Sequence, residues 1–184
     1  MYGLVNRAIE QLVRNQFGEE AWYKILERAA SEHQMFVSMQ AYPDELTYRL
    51  VGAASEVLGV DADSLLRAFG RHWITYTAKE GYGGLLQMAG NNLREFLRSL
   101  PQLHARVLVR FRHLRPPVFH VVEESGGQVV FVRYESTRAG LSPMMLGLLE
   151  GLAERFAETV EITQVERRAE HGHDLFRLSF PTAG

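Results

Sequence analysis

Apolar residues recur every three or four positions along most of the first 110 residues, which is the spacing of helices with one buried face. Four such stretches come first: residues 4–13, 22–29, 50–58 and 65–74. Gly18 and Gly59 mark helix ends, and Asp61 can cap the fourth helix. Two short apolar segments follow at 82–89 and 93–100. The pattern predicts a helical N-terminal part.

The next predicted helix carries a histidine on its apolar face. Ser99 is placed to cap it, and Pro101 lies in its first turn. The apolar stripe follows at helical spacing: His104, Val107, Leu108 and Phe111. A buried imidazole needs a partner for its ring nitrogens. A hydrogen-bonded core histidine is the simpler interpretation, and a metal ligand is the alternative.

The pattern changes at Pro116 and Pro117, because two consecutive prolines cannot continue a helix. Two predicted strand pairs follow: 118–123 with 128–134, and 159–165 with 175–180. A helix beginning at Ser142 lies between the pairs. We therefore predict one α+β domain over 1–184, with a helical part (about 1–114) packed on an antiparallel sheet with an inserted helix (about 115–184).

Composition narrows the possible functions. The absence of cysteine removes disulfides, iron–sulfur clusters and thiolate-bound haem, so a transition metal would rely on histidine, methionine, tyrosine or carboxylates. The net charge of −2 gives no basic field for nucleic acid. Without a membrane-length apolar run or a signal peptide, the sequence predicts a soluble cytoplasmic protein. Because no nucleotide loop or nucleophile elbow is present, we expect no enzyme activity.

Two polar clusters are candidates for binding chemistry. Tyr134, Ser136 and Arg138 alternate at the end of a predicted strand, so their three donors can converge on a carboxylate or phosphate. Satisfying their own backbone is the alternative role for such residues. His171, His173 and Asp174 could hold a divalent metal, although an exposed polar turn explains them equally well.

Taken together, these motifs resemble the H-NOX (haem nitric oxide/oxygen-binding) family, which includes the N-terminal sensor of the soluble guanylate cyclase β subunit and stand-alone bacterial relatives. The resemblance runs from Met1 to about Phe180. It rests on residues 1–6, 50–59, 80–83, 103–106 and 115–117, and on the Tyr134, Ser136 and Arg138 triplet.

The resemblance implies a b-type haem between the helical and β-rich parts. His104 would be the proximal ligand of its iron, and Tyr134, Ser136 and Arg138 would hold its propionates. Pro117 looks like the proline that presses on the porphyrin, although a proline at a strand start needs no haem to explain it. Val5 lies where an aliphatic side chain packs against the ring.

Two further positions concern the gas ligand. In oxygen-binding members of the family, a tyrosine that donates to oxygen corresponds to Met144, and methionine donates no hydrogen bond. Trp73 also looks distal by resemblance, and its indole N–H is a donor that could reach a diatomic ligand.

The family resemblance predicts a five-coordinate ferrous haem that binds NO and CO, discriminates against oxygen and signals through the His104 helix. The expected partner is a separate histidine kinase or a cyclic-nucleotide or cyclic-di-GMP enzyme. A haem-free pocket for an organic carboxylate, a structural interaction domain and an oxygen-binding haem protein are the alternatives.

Overall fold

The computed structural model describes residues 1–110 and 115–181. Six α-helices of the described part precede the sheet: α1 (Gly3–Phe17), α2 (Glu19–Arg28), α3 (Asp44–Leu58), α4 (Ala62–Thr77), α5 (Gly83–Met88) and α6 (Leu93–Arg110). The helix-end and capping residues predicted from the sequence act at the expected positions. Gly59 ends α3 with a φ of 65°, and the Asp61 carboxylate accepts a hydrogen bond from the Ser64 N–H at 2.9 Å.

The predicted break before the histidine helix is wrong. Residues 93–110 form one helix with Pro101 inside it. Pro101 has no N–H to donate to the preceding turn, and the Ser99 hydroxyl donates to the Phe96 carbonyl at 2.8 Å. The loss is tolerated because the first half of α6 is held by buried apolar side chains: Leu93, Phe96, Leu97 and Leu100. Phe111 of the predicted stripe lies outside the described residues.

A π-helical turn, Ala78–Tyr82, joins α4 to α5. The chain leaves helical geometry at Glu80 and at Gly81, whose φ of 92° suits glycine. The sequence pattern indicated only an apolar segment that begins at 82, and it did not predict this turn. No helix of the described residues is long and apolar enough to cross a membrane.

The C-terminal part contains a four-stranded antiparallel sheet in the order β1-β2-β4-β3. Its elements are β1 (Val118–Glu123), β2 (Val129–Glu135), α7 (Ser142–Arg155), β3 (Glu161–Glu166), α8 (Arg168–His171) and β4 (Asp174–Ser179). The predicted α+β class is confirmed. The strand pairs agree with those predicted, with ends shifted by one or two residues.

Two apolar cores form, one within α1–α4 and one between α6, α7 and the sheet. Trp73 packs against both cores. The two parts meet most closely where α4 crosses α7. A Cβ at Gly70 would lie 2.2 Å from the Met144 carbonyl oxygen, and one at Gly147 would lie 1.9 Å from the Arg67 carbonyl oxygen. Backbone therefore touches backbone at this crossing.

Alanine at Gly147 is expected to destabilise the fold by about 2 kcal/mol or more, because its Cβ would push α7 away from Arg67. Gly52→Ala is the matched control: Gly52 is an exposed residue of α3 with open space around its Cβ position. That control should stabilise the protein by roughly 0.5–1 kcal/mol. Urea unfolding measures both values, and equal free energies for Gly147→Ala and wild type would contradict the close crossing.

Candidate functional site

A cavity of about 300 Å³ lies between the N-terminal helices, α6, α7 and the sheet. This volume is at the lower end of the range of small-molecule sites. All eight residues predicted to form the site line this one cavity: Val5, Trp73, His104, Pro117, Tyr134, Ser136, Arg138 and Met144. Most of the remaining wall is apolar, including Leu4, Leu86 and Leu148.

His104 lies on the α6 side of the cavity, between the lining residues Leu103 and Val107. Its ring stacks on Phe119, with 5.3 Å between centroids and 30° between planes. Within residues 1–110 and 115–181, its ring nitrogens have no hydrogen-bond partner. Burial lowers the pKa of His104 below its ordinary value, which favours the neutral imidazole. A neutral imidazole offers a nitrogen lone pair to a metal.

Tyr134, Ser136 and Arg138 all line the cavity, but they do not lie along one extended strand as predicted. β2 ends at Glu135, so only Tyr134 lies in the strand, and Ser136 and Arg138 follow in the turn. The Ser136 hydroxyl accepts a hydrogen bond from the Arg138 N–H at 3.1 Å. Burial raises the pKa of Tyr134, while the neighbouring Ser136 hydroxyl lowers it. With the raised pKa, the phenol keeps its proton and can donate it in a hydrogen bond.

Arg138 already binds a carboxylate of the chain. Its Nε–H donates to Asp44 at 2.8 Å, a second N–H reaches Asp44 at 3.4 Å, and a third donates to the Arg115 carbonyl at 2.9 Å. A guanidinium has five N–H donors, so two remain for a further acceptor. An additional carboxylate would therefore join Asp44 at Arg138 without having to replace it.

The sequence analysis gave no role to Asp44 or to the N-terminal ammonium group. The ammonium group of Met1 donates to Asp44 and to the Tyr42 carbonyl. Burial raises the pKa of Asp44, but the hydrogen bonds from Met1 and Arg138 outweigh this effect and hold it below its ordinary value. Because 94 positions separate Asp44 from Arg138, no local sequence signal could have paired them.

Met144 and Trp73 lie on the α7 and α4 sides of the cavity. The Trp73 ring packs at 5.9 Å from Phe69 and 6.1 Å from Tyr76, centroid to centroid. Tyr82 also lines the cavity, as does Tyr2, and the sequence analysis gave neither a role. The signal for Tyr82 was its place within the family motif at 80–83.

The turn at 171–174 does not assemble a metal site. His173 pairs with Glu166 at 2.7 Å and Asp174 is buried, and the described residues contain no group of three or more metal-ligating side chains. The main cavity has a different donor set. It combines an unpartnered neutral imidazole, apolar walls and donors suited to carboxylates, and these features fit a haem with its propionates.

The fold and the cavity define a small-molecule-binding α+β domain. A family model described as Haem-NO-binding matches residues 2–164. The chain belongs to this family, the H-NOX proteins, which bind haem and act as sensor domains.

Relatives and solved structures agree with this family. The chain is 29% identical to soluble guanylate cyclase gcy-35 of Caenorhabditis elegans over 96% of its length, and 32% identical to gcy-32 over 90%. It spans about a quarter of those relatives, 26% and 24%. An H-NOX protein from S. oneidensis in the Fe(II)NO ligation state superposes with a TM-score of 0.90 at 19% identity, covering 99% of this chain and 100% of that one. The Fe(II) unliganded H-NOX protein from K. algicida superposes with a TM-score of 0.84 at 24% identity, covering 98% of this chain and 97% of that one.

The lowered pKa of His104 predicts a pH dependence of stability. Because the unfolded chain takes up the proton at a higher pH than the folded chain, the free energy of unfolding of protein prepared without haem should fall as the pH decreases from about 6.5. Burial lowers the pKa of His72 too, so two histidines contribute, each by at most about 1.4 kcal/mol per pH unit.

Urea unfolding in half-unit pH steps measures this slope. His104→Leu should make it shallower, whereas His120→Gln, on the exposed side of β1, should leave it unchanged. A slope in His104→Leu equal to that of wild type would show that His104 is not buried as a neutral imidazole.

Proposed function

We propose that this domain is a haem-based gas sensor that binds nitric oxide and carbon monoxide and discriminates against oxygen. The observation that carries the proposal is one cavity lined by an unpartnered imidazole on its α6 side and, at another side, by three side chains with donors suited to a carboxylate. A haem-free carboxylate pocket would use the triplet, but it gives the apolar walls and His104 no role.

Different residues of the chain would hold different parts of a b-type haem. His104 would bind the iron through a ring nitrogen, and its lowered pKa keeps that nitrogen free of a proton. Tyr134, Ser136 and the two remaining N–H groups of Arg138 would hold the propionates. Pro117 and Val5 supply apolar contacts in the cavity. When bound, the haem supplies a ferrous iron with one open position for a diatomic gas.

Gas selectivity follows from the distal wall. Met144 has no hydrogen-bond donor, and Thr77 directs its hydroxyl to the Trp73 carbonyl at 2.7 Å. Oxygen gains more from a donated hydrogen bond than nitric oxide or carbon monoxide does, because it draws more electron density from ferrous iron. The Met144 side of the wall therefore favours the last two gases.

Signal output would pass through α6. Its first half is anchored: Arg98 pairs with Glu123, and the Arg94 guanidinium lies 3.7 Å from the Phe180 ring centroid. Beyond Pro101, the helix exposes Ala105 and Arg106, and Val109 is 82% exposed. His104 lies in this second half, so a change in what holds His104 would move this half more readily than the anchored half. The partner would be a separate signalling enzyme, a histidine kinase or a cyclic-nucleotide or cyclic-di-GMP enzyme.

The direct test replaces His104 with glycine. His104→Gly should retain haem only when imidazole is supplied, because the space left by the side chain admits the free ligand. The Soret absorbance and haem content of the purified protein, with and without imidazole, measure this. His120→Ala is the control and should bind haem as wild type does, since His120 lies on an exposed strand face.

Two results would contradict the proposal. Colourless wild-type protein produced with ample haem would favour the carboxylate pocket. Retention of haem by His104→Gly without imidazole, with an unchanged ferrous spectrum, would remove His104 from the ligand role.

Met144 tests the gas preference. Wild-type ferrous protein should bind nitric oxide and carbon monoxide but show no stable oxygen binding in air. Met144→Tyr should raise oxygen affinity roughly thirtyfold, the equivalent of one hydrogen bond of about 2 kcal/mol. Met144→Phe is the matched control, since it adds the ring without the hydroxyl. Visible spectra during oxygen titration measure the affinities.

Stable oxygen binding by the wild-type protein in air would overturn the claimed discrimination. In that case, Trp73→Phe and Tyr82→Phe would identify the donor, because both side chains line the cavity.

A further inference from the structure

Asp174 is a buried carboxylate to which the proposed haem binding gives no role. It is 3% exposed and accepts hydrogen bonds from the Ser142 hydroxyl at 2.8 Å, the Gln164 amide at 2.8 Å and the Arg168 N–H at 3.0 Å. A buried carboxylate is costly unless its oxygens are satisfied, so these bonds tie together the elements that supply the donors. Asp174 thus connects β4 to β3, α8 and α7.

The loop between β2 and α7 begins and ends beside this carboxylate. At its start, Tyr134 pairs with Asp174 in the β2–β4 register. At its end, Ser142 is the first residue of α7 and donates to Asp174. Ser136 and Arg138 lie between these two points. The Asp174–Ser142 bond therefore closes the loop that presents both side chains to the cavity.

Away from its C-terminal end, other contacts hold the loop: Arg138 donates to Asp44 and to the Arg115 carbonyl. The Tyr48 phenol donates to the Ala139 carbonyl at 3.0 Å in the middle of the loop. Leu141, the N-cap residue of α7, makes no side-chain capping hydrogen bond. At this helix start, the Ser142 hydroxyl instead donates to Asp174. Loss of the Ser142 hydroxyl would leave the C-terminal end of the loop without its side-chain tie.

We propose that Asp174 is a positioning residue for haem retention: through Ser142 it holds the 136–141 loop so that Arg138 meets a propionate. This inference rests on the proposed haem function. Neither Asp174 nor Ser142 is among the described residues that line the cavity, so their effect is transmitted through the loop.

The test is a double-mutant cycle on the haem-loaded protein. Ser142→Ala should speed haem loss to an excess of a haem-scavenging protein about fivefold, the scale of one hydrogen bond. In an Arg138→Ala background, the same change should alter the rate by less than about twofold, because the loop no longer presents a guanidinium. Ser142→Thr, which keeps the hydroxyl, should restore the wild-type rate.

The matched control is Ser64→Ala. Ser64 also lies in the first turn of a helix beside an aspartate, Asp61, but far along the chain from the loop. Its replacement should leave haem loss unchanged. Amide hydrogen exchange at 136–141 provides a readout that does not need haem, and it should be faster in Ser142→Ala than in Ser64→Ala.

The outcomes separate the two proposals. The positioning role would be overturned if Ser142→Ala sped haem loss equally in the wild-type and Arg138→Ala backgrounds, or did not speed it at all. Wild-type protein that binds no haem would overturn the proposed function. In that event, unchanged loop exchange in Ser142→Ala would also show that Asp174 does not hold the loop.

Discussion

The structure depends on the contact between α4 and α7, where two helices approach until backbone meets backbone. Gly70 and Gly147 leave no room for a Cβ, and Glu150 of α7 accepts hydrogen bonds from Arg67 and Arg71 of α4. This crossing fixes the helical part on the sheet along one side. The cavity lies beside the crossing, lined by Trp73 of α4 and Met144 of α7. The distance between these helices therefore sets the shape of the distal wall.

The side chains that line an apolar cavity lack packing partners on one side, so contacts elsewhere must keep its walls apart. Two carboxylates tie elements together around the cavity: half-buried Asp44 joins Met1 of the N-terminus to Arg138, and buried Asp174, outside the lining, joins β4 to Ser142 of α7. Both ties involve the segment from Tyr134 to Ser142. The same short segment thus closes the cavity and presents the donors for a bound carboxylate.

Local sequence signals predicted the elements well, because caps and periodicity act within a few residues: Asp61 does cap α4, and Gly59 does end α3. They failed at Pro101, where buried packing outweighs the missing hydrogen bond. Spacing singled out His104 and the Tyr134, Ser136 and Arg138 triplet, whereas the other predicted cavity residues came from family resemblance alone. Asp44 and Asp174 could not be predicted, since the ties they make to Arg138 and Ser142 span 94 and 32 positions.

The two sides of the cavity are restrained unequally. α7 is held at its start by Asp174 and in its middle by the contact of Gly147 with Arg67, and Met144 lies between these points. α6 is anchored by buried side chains ahead of Pro101 and is only half-buried or exposed after it, with His104 in the second part. A strain applied across the cavity is absorbed where fewer contacts must break, so it displaces the α6 side and leaves the α7 side in place. This asymmetry suits the proposed sensor, in which the wall at Met144 would stay fixed while the helix that carries His104 would move.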